Sequence, residues 1–387
     1  MSAYTVKNEV PSGRGVILDD MILTTDLPTT AGSRMLAGYR SLFNAEAVTR
    51  LVGNGYLIAG KVSVGEFAFD TLGESAYGGA YTEEGTLRYP AAVAVKADGF
   101  GALCLDVNGA PRRAAAQEGL VFLKPTYGTV SRFGTVPVAC SGECVGILAK
   151  TAEECRLLFS SVLGHDEKDG TSLPEELCSS SLNERPIKRV AEVVFPGVEN
   201  PLSEKLSAMG VEVTAVEAPM LLAAHEAWNV LMSAELCNNV SRYDGVKYGY
   251  RAEEFSGLDE LYTRSRTEAF GSLLRTAILF GSETLSTENY MKVYDKALRI
   301  RRKVVEAFSA LFAEYDAVLL PTVSRGAYTE ADIMAEPTLA FRENRFTAPA
   351  SISGLPSVTF GGASLVGPAF SDASLLALAG CSREEGV

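Results

Sequence analysis

An α/β fold is predicted for this 387-residue chain from three features. Short apolar runs of strand length alternate with stretches whose apolar residues recur at helical spacing. Turn-forming glycines separate the two kinds of segment, as in Gly53-Asn54-Gly55. A content of 47% hydrophobic and 21% charged residues is enough to bury a large core. Length alone would allow two or three domains. Glycine and proline are spread without a low-complexity run that would mark a linker, so one compact unit over residues 1–387 is expected.

Taken in order, Gly15 to Ile22 (GVILDDMI) reads as a buried strand closing on Asp19 and Asp20, a solvated strand-end or helix-capping pair. Asn44 to Glu66 reads as a helix that stops at Gly53-Asn54-Gly55, followed by a strand from Tyr56 to Ala59. Ala91 to Ala94 reads as part of a helix, and Thr151 to Leu163 as an amphipathic one. Arg189–Phe195 and Val211–Val216 read as strands flanking a helix from Pro201 to Met209, and a final helix is expected near Ser371 to Ala379.

The net charge of -13 argues against a chain that holds nucleic acid by broad phosphate neutralisation. Its densest basic cluster, Arg299, Arg301, Arg302 and Lys303 interleaved with Ile300, Val304 and Val305, reads as the solvated face of an amphipathic helix. The stretch MSAYTVKNEVPSG has no apolar segment behind a basic start, and no run approaches the length of a membrane span, so no membrane partner and a cytoplasmic location are expected. Seven cysteines, an odd number, fit reduced thiols better than a disulfide framework. Cys140 and Cys144 form a C-x-x-x-C pair. With only His165 and His225 in the chain, ordinary buried thiols are expected, and neither a metal nor a cofactor.

The stretch LCLDVNGAPRRAAAQEGLVFLKPTYGTVSRFG, Leu103 to Gly134, closely resembles the signature block of the amidase signature family. Leu123, Lys124, Pro125, Thr126, Tyr127, Gly128, Val130, Ser131, Arg132 and Gly134 match the second half of that block. SAELCNNVSRYDGVKYGYR (Ser233 to Arg251) and FTAPASISGLPSV (Phe346 to Val358) resemble further motifs, the former most of all in the glutamine-amidase subunits of glutamyl-tRNA(Gln) amidotransferase. The resemblance runs from about Gly15 to Ala379, without the family's N-terminal helical extension. It implies an α/β/α sandwich around a mixed, mostly parallel sheet.

The resemblance also locates the chemistry, and there the chain departs from the family. The position of the catalytic lysine holds Asp19, the bridging serine falls on Thr86 (or on Gly85 after a slip of one), and the nucleophilic serine is replaced by Ala110. A methyl group cannot attack a carbonyl. Lys61 falls on a second, structural lysine. Val107, Asn108 and Gly109 occupy the region of the oxyanion hole, with Pro111 removing a further main-chain donor. Of the positions that hold glutamine in the amidotransferase, Tyr243 is kept, while Ala277 and Asn344 stand where an arginine and an aspartate belong.

The expectation is a catalytically inactive homologue retained as a scaffold or binding subunit. Its partner would be an amidotransferase-type subunit, an intact paralogue or a second copy of itself. Two alternatives stand beside it. One is an amidase with a rebuilt nucleophile, for instance Ser131, Ser141 or Cys104, and the other is a small-molecule amide sensor using the old pocket. The pocket around Ala110 is expected to be at least partly closed by Tyr89, Pro90 or Pro111.

Overall fold

A computed structural model of the chain describes residues 3–11 and 14–384; residues 1, 2, 12 and 13 of the N-terminal stretch considered above lie outside them. Thirteen strands are found among the described residues: β1 (Tyr4–Lys7), β2 (Gly15–Asp19), β3 (Leu57–Val62), β4 (Thr82–Glu83), β5 (Thr86–Leu87), β6 (Gly101–Asp106), β7 (Val121–Lys124), β8 (Cys144–Ala149), β9 (Arg189–Val193), β10 (Glu212–Val216), β11 (Ala317–Pro321), β12 (Ser357–Phe360) and β13 (Ala363–Val366). Eleven form one sheet in the order β1-β3-β2-β6-β8-β7-β12-β13-β11-β9-β10, and β4 pairs with β5 in a separate hairpin.

The sheet is mixed, but the expectation that it is mostly parallel is wrong. Of its ten neighbouring pairs, β3-β2, β2-β6, β11-β9 and β9-β10 are parallel. The other six, including the whole central run from β6 to β11, are antiparallel. The physical reason is that an unbroken apolar strand reports burial on both faces, which a parallel sheet requires but an antiparallel one can also have. The tight return from β12 to β13 through Gly361 (φ 56°) and Gly362 (φ 90°) is one of the antiparallel links.

Both faces are covered. Val16, Leu18, Leu103, Leu105, Leu123 and Ile147 belong to one apolar cluster. Their immediate neighbours Ile17, Ala102, Cys104, Phe122 and Leu148 belong to another on the opposite side. This is the period-2 alternation of a pleated strand. The helices Pro90–Ala97 and Ala110–Glu118 supply the second cluster, and Glu46–Gly53 and Ala152–Val162 the first.

The local readings of helices and strands fare well. The helix Glu46–Gly53 stops at the expected breaker and β3 follows it. Ala152–Val162 is closed at its start by a capping box from Thr151 and Glu154. The helix Ser203–Ala208 lies between β9 and β10, and the last helix is Asp372–Glu384. Asp19 and Asp20 are neither solvated nor caps: both are buried, at 0% and 1% exposure. Alternation along β2 turns Asp19 to the Ile17 side, into the second cluster.

The matching half of the signature block is a set of ties between distant segments. Lys124 donates to the Leu355 carbonyl at 2.7 Å, and Thr126 donates to Asp372 through its backbone N–H at 2.8 Å and its hydroxyl at 2.6 Å. Tyr127 donates its hydroxyl to the Cys140 carbonyl, Ser131 donates to Asp166 at 2.6 Å, and Arg132 pairs with Glu143 at 2.7 Å. Gly134, at φ 82°, lies so close to Ala45 that a Cβ there would collide with its backbone.

Candidate functional site

The segment Val107-Asn108-Gly109 leaves β6 and turns into the helix Ala110–Glu118. Gly109 makes the turn at φ 88°, and a Cβ on it would collide with the Thr347 side chain. Both facts demand glycine. Pro111 sits in the first turn, where a helix has no use for its amide N–H.

A buried ion pair fixes this turn. Arg112 donates to Asp106 at 2.6 and 3.1 Å, to the Thr347 carbonyl at 2.7 Å and to the Ser351 hydroxyl at 2.5 Å. The same Asp106 carboxylate accepts the Gly109 N–H at 2.9 Å, so this donor is already engaged within the protein. Thr347 returns a hydrogen bond from its hydroxyl to the Asn108 carbonyl at 2.9 Å. The Asn108 side chain donates to the Phe69 carbonyl and accepts from the Trp228 indole at 2.7 Å. Val107, Asn108 and Trp228 are all buried.

Ala110 is 8% exposed and belongs to the apolar cluster that contains Tyr89, Cys104 and Phe122. Tyr89 lies inside the protein and donates its hydroxyl to Asp19 at 2.7 Å, while the Leu105 N–H donates to the same oxygen at 3.2 Å. Burial raises the Asp19 carboxyl to about 7, against the opposing effect of the Tyr89 and Leu105 hydrogen bonds. Asp20 accepts from the backbone and hydroxyl of Thr30 and lies 3.8 Å from the Lys61 ammonium. Lys61 is fully buried, donates to Thr29, and is pushed down to about 8 by that burial.

The remaining predicted positions are dispersed. Thr86 lies on β5, pairs with Glu83 and makes an isolated bridge to Thr329. All peptide bonds of the described residues are trans. Tyr243 is buried with its ring against Phe67 and Tyr248 at 5.2 and 5.9 Å. Ala277 is buried on the helix Ser272–Thr284 while Arg275 is exposed there. Asn344 is buried and donates to the Asn229 side chain at 2.5 Å. Through its carbonyl, which accepts the Thr347 hydroxyl at 3.1 Å, it belongs to the same network as Asn108 and Arg112.

Two participants were not expected from the sequence. Trp228 is the one tryptophan of the chain, on the helix Ala224–Val240 ahead of the Ser233–Arg251 motif, and it closes over both Asn108 and Gly142. Arg113, next to Arg112, is buried against Glu343 at 3.7 Å and the Tyr328 ring at 4.8 Å. The pair Arg112-Arg113 within the Leu103 to Gly134 block was the available signal.

The displaced nucleophiles considered above are all engaged. Cys104 is fully buried and its thiol is raised well above the ordinary range by that burial. Ser131 is 2% exposed and bound to Asp166, and Ser141 donates to Glu235 while accepting from Arg301 at 3.1 Å. All seven cysteines are free thiols, and no cluster of potential metal ligands occurs among the described residues.

With this fold and this turn, the chain belongs to the amidase family, whose model matches residues 12–83 and 90–376. Among its relatives is the A subunit of glutamyl-tRNA(Gln) amidotransferase from Coxiella burnetii, 33% identical over 97% of this chain and 84% of that protein. The corresponding Streptococcus pneumoniae protein is 31% identical over 95% of this chain and 82% of its own length. The crystal structure of the same amidotransferase component from Thermotoga maritima superposes with a TM-score of 0.80 at 25% identity, covering 99% of this chain and 87% of that one.

Proposed function

We propose that this chain is a catalytically inactive member of the amidase family, homologous to the amidotransferase A subunits, that serves as a scaffold or binding subunit. The observation that carries the reading is that the positions of family chemistry are occupied by packing groups. Ala110 offers a methyl to an apolar cluster, and Asp19 is hydrogen-bonded to Tyr89. Acyl transfer needs a nucleophile, a base able to reach it and free donors for the oxyanion. Here the first is absent, the second is a carboxyl held by a tyrosine, and the Gly109 N–H is bonded to Asp106.

The relatives named as amidotransferase subunits support the second half of the reading, a protein partner. No described helix is long and apolar enough to cross a membrane. The test is affinity purification from the native cell under mild salt, followed by mass measurement of the intact assembly. A stoichiometric complex with an amidotransferase-type subunit, an intact paralogue or a second copy is expected; a chain recovered alone and monomeric contradicts the binding role. A rebuilt amidase instead predicts that a fluorophosphonate or iodoacetamide probe marks one residue of the folded protein.

A further inference from the structure

Away from the signature block, the loop carrying Ser324 to Tyr328 and the helices Glu330–Ala335 and Leu339–Glu343 enclose a cleft of about 420 Å³. In a chain of net charge -13, this cleft gathers three guanidinium groups, Arg325, Arg342 and Arg345. Two carboxylates line it with them, and each is already matched: Arg325 pairs with Asp332 at 2.5 Å and Arg342 with Glu336 at 2.7 Å. The nearby Glu343 accepts from Ser324 at 2.7 Å through one oxygen and faces Arg113 at 3.7 Å with the other.

Arg345 is left over. It forms no ion pair with any described residue, and its Nε is buried without a hydrogen-bond acceptor. The guanidinium lies over the Phe346 ring, 4.5 Å from its centroid, which restrains its position. A buried donor without an acceptor is costly unless something supplies one. The planar fork of a guanidinium fits an oxyanion with two oxygens best.

We propose that this cleft binds a small oxyanion, a carboxylate or a phosphoryl group, with Arg345 as the principal charge partner and Arg325 and Arg342 shaping the rim. The cleft volume lies in the range of small-molecule sites. The site is independent of the reading of the signature block and survives whether or not that block is inactive.

The experiment is calorimetric titration of the full chain with inorganic phosphate and, separately, with succinate, at ionic strength held constant with sodium chloride. Thermal melts run in parallel, because an anion that binds only the native state must raise the melting temperature. Saturable binding of either anion is expected, weakened at least about tenfold in Arg345→Gln and partly retained in Arg345→Lys. The stronger of the two anions tells whether the natural ligand carries a phosphoryl or a carboxylate. Non-saturable heats equal to those of the salt control, or undiminished binding to a folded Arg345→Gln protein, overturn the proposal. Should Arg345→Gln lose its cooperative melt, Glu336→Gln decides. Removing that competing carboxylate should tighten binding about threefold, and unchanged or weaker binding counts against the site.

Discussion

At the scale of single residues, the acid at position 19 has the largest consequence. Its carboxyl is raised from 3.8 to about 7, so the folded protein holds a proton there that the unfolded chain releases near pH 4. Stability from this group is fully present below about pH 4 and is lost as pH rises through about 7, by at most about 1.4 kcal/mol per pH unit. Asp19→Asn should therefore flatten the stability profile between pH 4 and 7 and gain on the unmodified protein above pH 7. Chemical denaturation across that range checks this, and identical profiles would count against it. Glu66, raised to about 7 by burial, contributes in the same direction and remains in the variant. For Ala110→Ser the expectation is no gain in ammonia release from glutamine, because the restored hydroxyl still lacks the lysine, with Asp19 bound to Tyr89 in its place. The alanine at position 110 is plain from the sequence. The burial of Asp19 is not, since two aspartates at a strand end are solvated far more often than they are enclosed.

At the scale of elements, the turn from β6 into Ala110–Glu118 is held by Gly109 and by the Arg112–Asp106 ion pair. Gly109→Ala would force a positive φ on a side chain and drive it into Thr347, at a cost of about 2–4 kcal/mol. Arg112→Ala would leave the Asp106 carboxylate buried without its partner, costing about 3–5 kcal/mol. Both should appear as lowered denaturation midpoints at unchanged far-UV circular dichroism of the folded state. A midpoint within experimental scatter of the unmodified protein would show the turn to be dispensable. Helices and strands were legible because their caps and breakers are local, as at Thr151 and Gly53-Asn54-Gly55. Strand direction was not: β8, fully buried, has the same unbroken apolar pattern whether its neighbours β6 and β7 run with it or against it. Nor was the Trp228–Asn108 contact, made between residues 120 positions apart.

At the scale of the molecule, the preserved half of the signature block and the altered half are physically separable. Lys124, Thr126, Ser131 and Arg132 each hold a specific hydrogen bond to another segment, at Leu355, Asp372, Asp166 and Glu143, so their loss would loosen the fold whatever its activity. Asn108, Thr347, Arg112 and Asp106 form one buried, bonded network, and Ala110 and Tyr89 belong to one apolar cluster. The proposed state is a fold that keeps the family's architecture without its hydrolysis. Its most direct test is ammonia release from glutamine and asparagine by the purified chain, measured beside its Thr86→Ala variant. Release indistinguishable from a buffer blank in both proteins is the predicted result; turnover by the unmodified chain that disappears in Thr86→Ala would contradict it.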